Sequence, residues 1–352
     1  MSILNTIQSQ LTIIIITNRD FPIKRAMEYY SNWGCRIIVC DSNTLLNRIE
    51  TFKLVEYFHY PGVGVFEKIK KVLNFVQTPY VCLSADDDFL SPNGVLTGIK
   101  FLNKNQDYVS VQGIYTLFKL DAKDMNIDTG LCYEWLKELH IDNEEAFDRV
   151  VASANTGMHQ IYSLHRTEIL KKIYSICGDI NNSAYIEYNS NLIGMFYGKH
   201  KMLPVFWMAR DSYQYATAYY YPRDDSNFIL YLSGLKSFLE NHELGLNYKV
   251  EFSKLFSEVT GNSFSKGEEL FKKVFFDIYF HNNNLNNSEV KSLLLSIKKN
   301  IKIFVKNVIP QRIIDLLQKN KSKSKISPIM YDNIYIREWN EIKKLILKYN
   351  KF

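Results

Sequence analysis

The 352-residue chain is 46% hydrophobic and 14% aromatic, which excludes a disordered chain and suffices for one large domain or two ordinary ones. Its five cysteines lack CxxC spacing, which points to buried free thiols in a reducing compartment. The net charge of +6 is uneven: residues 291–352 carry 15 Lys and Arg against 4 Asp and Glu, so the rest is acidic and a nucleic-acid-binding main domain is excluded.

No run reaches the roughly eighteen apolar residues of a membrane span. The opening "MSILNTIQSQLTIIII" lacks the basic region and small-residue cleavage site of a signal peptide, so a cytoplasmic protein is expected. In chain order, "LTIIIIT" (11–17) predicts a buried strand and "IKRAMEYYSNW" (23–33) an amphipathic helix, with Pro22 at its start and Gly34 as its stop. Strands are predicted at 36–40 ("RIIVC") and 53–60, then a helix at 65–77, a fourth strand at 80–84 ("YVCLS") and a fifth at 107–115. Short apolar strands separated by helices imply βαβ units and a mostly parallel sheet covered on both faces. An acidic helical stretch follows at 131–151 and a strand running into a helix at 158–166. Residues 184–213 read as helix, glycine stop and strand, and the chain beyond 227 reads as helical.

In parallel sheets, ligands sit beyond the carboxyl ends of strands. Thr17, Asp41 and Asp86 all fall there. The stretch "TPYVCLSADDDFLSP" (78–92) ends an apolar strand in three consecutive aspartates, whose mutual repulsion must be offset. A solvated turn and a cation site both fit. The βαβ context favours the cation, because Mg²⁺ and Mn²⁺ bind carboxylates together with substrate phosphates. "PGVGVFEK" lacks the P-loop pattern, "TNRDFP" stands where a dinucleotide fingerprint would, and the kinase signatures are absent.

The run from "LTIIIITNRDFP" through "RIIVCDSN" to "ADDDFLSPNG" resembles the nucleotide-binding half of GT-A-fold glycosyltransferases, most closely the family 2 type, over residues 11–210. That resemblance implies a GT-A-like α/β domain at 1–225; the helical, basic region at 226–352 lies outside it and is read from pattern and charge. It implies that Thr17 and Arg19 border the nucleotide, that Asp41 accepts hydrogen bonds from base or ribose, and that Asp86 and Asp88 form the DxD pair on the ribose and an Mn²⁺ or Mg²⁺ ion. Ala85 replaces the family's first Asp, which leaves open which of Asp86, Asp87 and Asp88 holds the metal. "IEYNSNLIGMFYGKHKMLP" (186–204) follows the family's layout for the base, with Glu187 in the catalytic place and Tyr188 where a second acid usually stands. A first-turn Glu favoured by the helix dipole explains Glu187 structurally.

Other residues keep two readings. Arg210 and Asp211 contact metal or phosphate, or form a surface pair. His165 and His159 are expected to be structural, with His159 a candidate for the acceptor side. Lys68 and Lys71 share a helix face and are expected to be solvated. The tyrosines of 217–228 suit sugar stacking or a core. Residues 290–320 form a basic amphipathic stretch, broken at Pro310, suited to an anionic membrane surface or to packing on the domain or a second subunit.

The resulting expectation is a metal-dependent, inverting transferase in bacterial surface-polysaccharide synthesis. It would move a sugar from a nucleotide-sugar donor to a hydroxyl of a glycan or lipid-linked acceptor, with peripheral contact to the inner membrane and homo-oligomerisation both open. The alternatives are a sugar-phosphate nucleotidyltransferase, which usually carries a Gly-rich loop that "TNRDFPIK" lacks, and a non-catalytic carbohydrate-binding protein on the same fold.

Overall fold

The computed structural model of the protein describes residues 7, 9–45, 54–121, 126–132, 140–156, 160–177, 183–211, 239, 243–280 and 333–349. Strand β1 (Leu11–Thr17) is a run of leucine, isoleucine and threonine, residues that fit a pleated surface buried on both faces. It lies between β2 (Arg36–Asp41) and β4 (Tyr80–Ala85), parallel to both, with Thr17 opposite Asp41 and Ile16 opposite Ala85. Strand β3 (Val55–His59) pairs with β2 at the edge. Helix α1 (Asp20–Tyr30) follows β1, α2 (Val65–Leu73) follows β3, and a two-residue β5 (Phe89–Leu90) precedes α3 (Pro92–Lys104). Gly34, at φ +67°, ends the turn after α1, in the role the sequence suggests.

The sheet order is β3-β2-β1-β4-β9-β6-β10-β5, where β6 is Tyr108–Asp121, β9 is Leu164–Arg166 and β10 is Lys199–Asp211. Mixed α/β architecture with a central sheet flanked by helices is as expected. From β1 the chain winds outward through β2 and β3, then returns to place β4 on the other side of β1. The strand order therefore reverses at β1, and the carboxyl ends of β1 and β4 stand side by side at that point, where open α/β sheets bind their ligands.

Several elements differ from the sequence reading. The fifth strand runs on to Asp121 and folds back as β7 (Asn126–Cys132), because its aromatic and β-branched residues continue past 115. The expected helix at 131–151 is strand to Cys132, a short β8 (His140–Ile141) and then α4 (Ala146–Thr156). The expected strand at 158–166 is only β9, antiparallel to both β4 and β6, before α5 (Thr167–Cys177). Helix α6 (Ser183–Tyr197) leads into β10 as predicted, and α7 (Glu243–Thr260) and α8 (Phe264–Lys272) come later in the chain.

The core beneath β1, β2 and β4 includes Ile13, Ile15, Val39, Cys82 and Trp207. Cys35, Cys40 and Cys82 are buried free thiols, as the spacing implied. Burial pushes Cys35 and Cys40 up to about 12, so both stay protonated and inert.

The chain forms two compact units, the first of which includes Met1–Tyr213. Residues 255–262 and 327–352 also belong to the first unit. The reason is the apolar face of α9 (Asn333–Tyr349): Trp339, Ile342, Leu345 and Ile346 are buried with Phe89, Phe118, Phe206 and Ala209. The second unit, 214–254 and 263–326, has an aromatic core of Tyr248, Phe252, Phe271 and Phe275. Among the described residues no helix is long and apolar enough to cross a membrane.

Candidate functional site

Strand β4 ends at Ala85, and Asp86, Asp87 and Asp88 form a tight turn into β5, closed by Asp88 N–H donating to Ala85 O at 3.3 Å. Phe89 and Leu90 anchor the turn, fully buried and paired with Ala209 and Met208 of β10. The Tyr30 hydroxyl supports it, donating to Asp88 O at 3.1 Å and accepting from Leu90 N–H at 2.9 Å. Asp86 and Asp88 are consequently buried, while Asp87 keeps partial exposure.

The fold itself offsets the repulsion among the three acids. Arg19, on the loop leaving β1, places its guanidinium against both oxygens of Asp86 and 2.8 Å from Asp87 Oδ2. Thr17 Oγ1 donates to Asp86 Oδ2 at 2.6 Å. Arg25 of α1 lies over the Phe89 ring, donates to Asp87 O at 3.3 Å and stands 3.5 Å from Asp211 Oδ2. Asp211, at the end of β10, gives its N–H to Asp88 Oδ1 at 3.0 Å, and Arg210 Nε is 3.9 Å from Asp88 Oδ2.

Among the described residues four carboxylates thus face three guanidinium groups at this corner. Burial, then Asp87, raises Asp86 to about 6 against the pull of Arg19, and the same two causes push Asp88 well above the usual carboxylate range.

The residues divide sharply in what they offer a metal. Both oxygens of Asp86 are already bonded to Arg19 and Thr17, so its carboxylate is a structural ion pair. Asp87 Oδ1 and Asp88 Oδ2 accept no hydrogen bond from the described residues. These are hard oxygen donors of the kind Mg²⁺ and Mn²⁺ take, usually one or two per ion with phosphate oxygens completing the shell. Among the described residues no three His, Cys, Asp or Glu side chains are grouped to hold an ion alone.

Beside the corner, the carboxyl ends of β1 to β3 build a second polar wall. Asp41, fully buried, accepts from Asn43 N–H at 2.8 Å and from the Tyr57 hydroxyl at 2.5 Å. Lys68 corrects the expectation of a solvated side chain: it is buried, and its Nζ donates to Thr17 O at 2.5 Å and Ser42 Oγ at 2.9 Å. Burial lowers its pKa. The signal was present in the sequence, since Lys68 recurs with Val65, Ile69 and Val72 at i, i+3, i+4 and i+7 on the apolar face. Lys71 is solvated as expected, 3.0 Å from Glu67.

The structure therefore brings together Thr17, Arg19, Asp86, Asp87 and Asp88, with Asp41 two strands away at the same sheet end. Arg19 bridges two aspartates, a bond that a role at the nucleotide border did not foresee. Arg210 and Asp211 join the corner rather than forming a surface pair. Arg25 was missed, because no sequence spacing shows that α1 abuts the turn. His165 is buried, its Nε2 3.0 Å from Gln160 O, and burial lowers it to about 4, a structural histidine. Glu187 lies on α6, in the helix expected for it, but its side chain falls outside the described residues, as do His159, 217–228 and 290–320.

No family model matches the chain, and no curated protein matches it. Among solved structures, S. aureus TarS residues 1–349 align with TM-score 0.40 and 9% identity, over 73% of this chain and 74% of that one. The same fragment in complex with UDP-GlcNAc aligns with TM-score 0.40 and 10% identity, over 74% and 75%. The bifunctional IspDF from Campylobacter jejuni aligns with TM-score 0.31 and 14% identity, over 56% and 50%. The chain is similar to these structures at the level of the alignments given, and its function is argued from its own residues.

Proposed function

We propose that the protein is a glycosyltransferase that moves a sugar from a nucleotide-sugar donor to an acceptor hydroxyl, aided by Mn²⁺ or Mg²⁺. One observation carries this reading: the acidic turn follows β4 beside the end of β1, where the strand order reverses, and two of its carboxylate oxygens, Asp87 Oδ1 and Asp88 Oδ2, accept no hydrogen bond from the described residues. The cation, when bound there, supplies Lewis-acid stabilisation of the departing diphosphate. On this reading the metal ligands are Asp88 and Asp87, and Asp86 holds Arg19 in place.

The remaining work falls to the chain's own groups. Asp41, whose two oxygens hold Asn43 N–H and the Tyr57 hydroxyl, would shape the wall against which the base or ribose lies, and Lys68 holds Thr17 O and Ser42 Oγ beside it. Arg19 and Arg210 border the diphosphate and share its negative charge. Glu187 takes the acceptor hydroxyl's proton as that oxygen attacks the anomeric carbon. The bond from that carbon to the phosphate oxygen breaks as the new glycosidic bond forms on the opposite face, so the configuration inverts. Nucleoside diphosphate leaves with the bonding electron pair. A surface-polysaccharide acceptor on the cytoplasmic side of a bacterial membrane suits this chemistry.

The deciding experiment is a panel of UDP-, GDP- and CMP-sugars incubated with purified protein, with and without Mn²⁺. One donor class is expected to be hydrolysed or transferred only with the ion. Turnover that survives a chelator removes the metal, and no binding of any donor removes the reading.

A further inference from the structure

Helix α9 packs against α1, α3 and β10, elements that carry or adjoin the charged groups of the acidic corner. On α1, which bears Arg25, Glu28 accepts from Lys348 Nζ and from the Tyr349 hydroxyl, each at 2.7 Å. In the middle, the aromatic and aliphatic face of α9 shares a buried cluster with Phe89, the residue after Asp88, and with Ala209, the residue before Arg210. At the start of α3 stands Glu338, only 8% exposed.

Three donors meet that carboxylate: Ser91 Oγ at 2.5 Å, Asn93 N–H at 2.9 Å and Asn93 Nδ2 at 2.6 Å. Ser91 is itself the N-cap of α3, its Oγ accepting from Gly94 N–H at 2.9 Å, and its own N–H donates to Trp207 O at 2.7 Å. Gly94 is required there, because a Cβ would strike Phe206 O. The segment from Asp88 to Gly94 is thus held between β10 and α9. A buried carboxylate adds little to stability compared with an apolar side chain of similar size, whereas its directional bonds fix geometry.

We propose that Glu338 is a positioning residue for donor binding. Acting through Ser91 and Asn93, it fixes the β4–β5 turn so that Asp87 Oδ1 and Asp88 Oδ2 are held in place for the cation and diphosphate. This rests on the nucleotide-sugar reading above, and it adds a residue some 250 positions downstream of the turn to the donor site.

The test compares full-length wild type with Glu338→Ala and Glu338→Gln by two readouts. Amide hydrogen exchange over residues 84–93 needs no ligand. Glu338→Ala is expected to speed exchange there about tenfold while residues 11–17 keep the wild-type rate. In the donor titration with Mn²⁺, Glu338→Ala is expected to weaken binding about tenfold, with kcat at saturation changed less. Glu338→Gln, which keeps an acceptor for Asn93, is expected to recover most of both.

A Glu338→Ala protein with a lower Tm but wild-type exchange at 84–93 and wild-type donor affinity overturns the proposal and leaves α9 a stabilising helix. Should Glu338→Ala fail to fold, Asn93→Ala and Glu338→Gln decide by the same readouts. Wild type that binds no nucleotide sugar, with the exchange difference intact, rejects the functional reading and keeps the clasp. Intact donor binding with unchanged exchange rejects the clasp alone.

Discussion

The main-chain N–H of Asp211 donates a 3.0 Å hydrogen bond to Asp88 Oδ1, tying the end of β10 to an acidic turn 123 positions earlier. That bond leaves only one oxygen of Asp88 for a ligand, and it makes the carboxylate's orientation a property of the sheet. An Asp88→Asn variant keeps an acceptor for Asp211 and loses a buried charge. It is expected to fold with unchanged or higher Tm and to lose about 10²–10³-fold in metal-dependent turnover, read from steady-state kinetics beside a thermal scan.

Arg19 is the counter-ion of Asp86, which is almost wholly buried. Removing one partner of such a pair leaves an uncompensated charge. Arg19→Ala is expected to cost up to about 3 kcal/mol, less than a fully buried pair because Arg19 is partly solvated. Adding Asp86→Asn should restore most of that loss. A urea double-mutant cycle showing no coupling between the two positions would remove the ion pair from the account.

Lys68 offers a separate check on the nucleotide wall. Lys68→Met keeps the stem and strips the donors from Thr17 O and Ser42 Oγ. The expected cost is about 1–3 kcal/mol for the unpaired groups, together with weaker nucleotide binding. Thermal shift with added UDP, GDP or CMP reads both effects on one sample.

Two histidines set an acid limit. His200, fully buried with Nδ1 2.8 Å from Ser110 Oγ, is lowered by burial to about 3, and His165 to about 4, against an ordinary value of 6.5. Unfolded histidine takes up a proton first, so stability is present above pH 6.5 and falls as the pH drops from 6.5 through 4. Each contributes a slope of about 1.4 kcal/mol per pH unit in that window. Asp86, raised to about 6 from 3.8, acts in the opposite sense, adding stability below that range and losing it as the pH rises through 6. Comparing unfolding free energies of wild type and His200→Asn between pH 7 and about 4 isolates the histidine share. Parallel curves would contradict it.

The central strands were legible because β1, β2 and β4 are buried on both faces and read as unbroken apolar runs. Strand β5 was not, since two residues carry no periodicity, and the three-residue β9 was read too long for the same reason. The three aspartates and their place at the sheet's carboxyl end were also readable. Their counter-ions were not: Arg19, Arg25 and Arg210 come from three segments that only the strand order brings together. The same holds for α9. It falls in the stretch read only as helical, and nothing local in the sequence named Phe89 or Phe206 as its partner.

The most direct test of the central claim is a calorimetric titration of the preferred nucleotide sugar into wild type, Asp87→Asn and Asp88→Asn, each with Mn²⁺ and with chelator. Tight binding by wild type that needs Mn²⁺, and that weakens in both variants, is the predicted result. Equal affinity in all six titrations would contradict a cation gripped by Asp87 and Asp88.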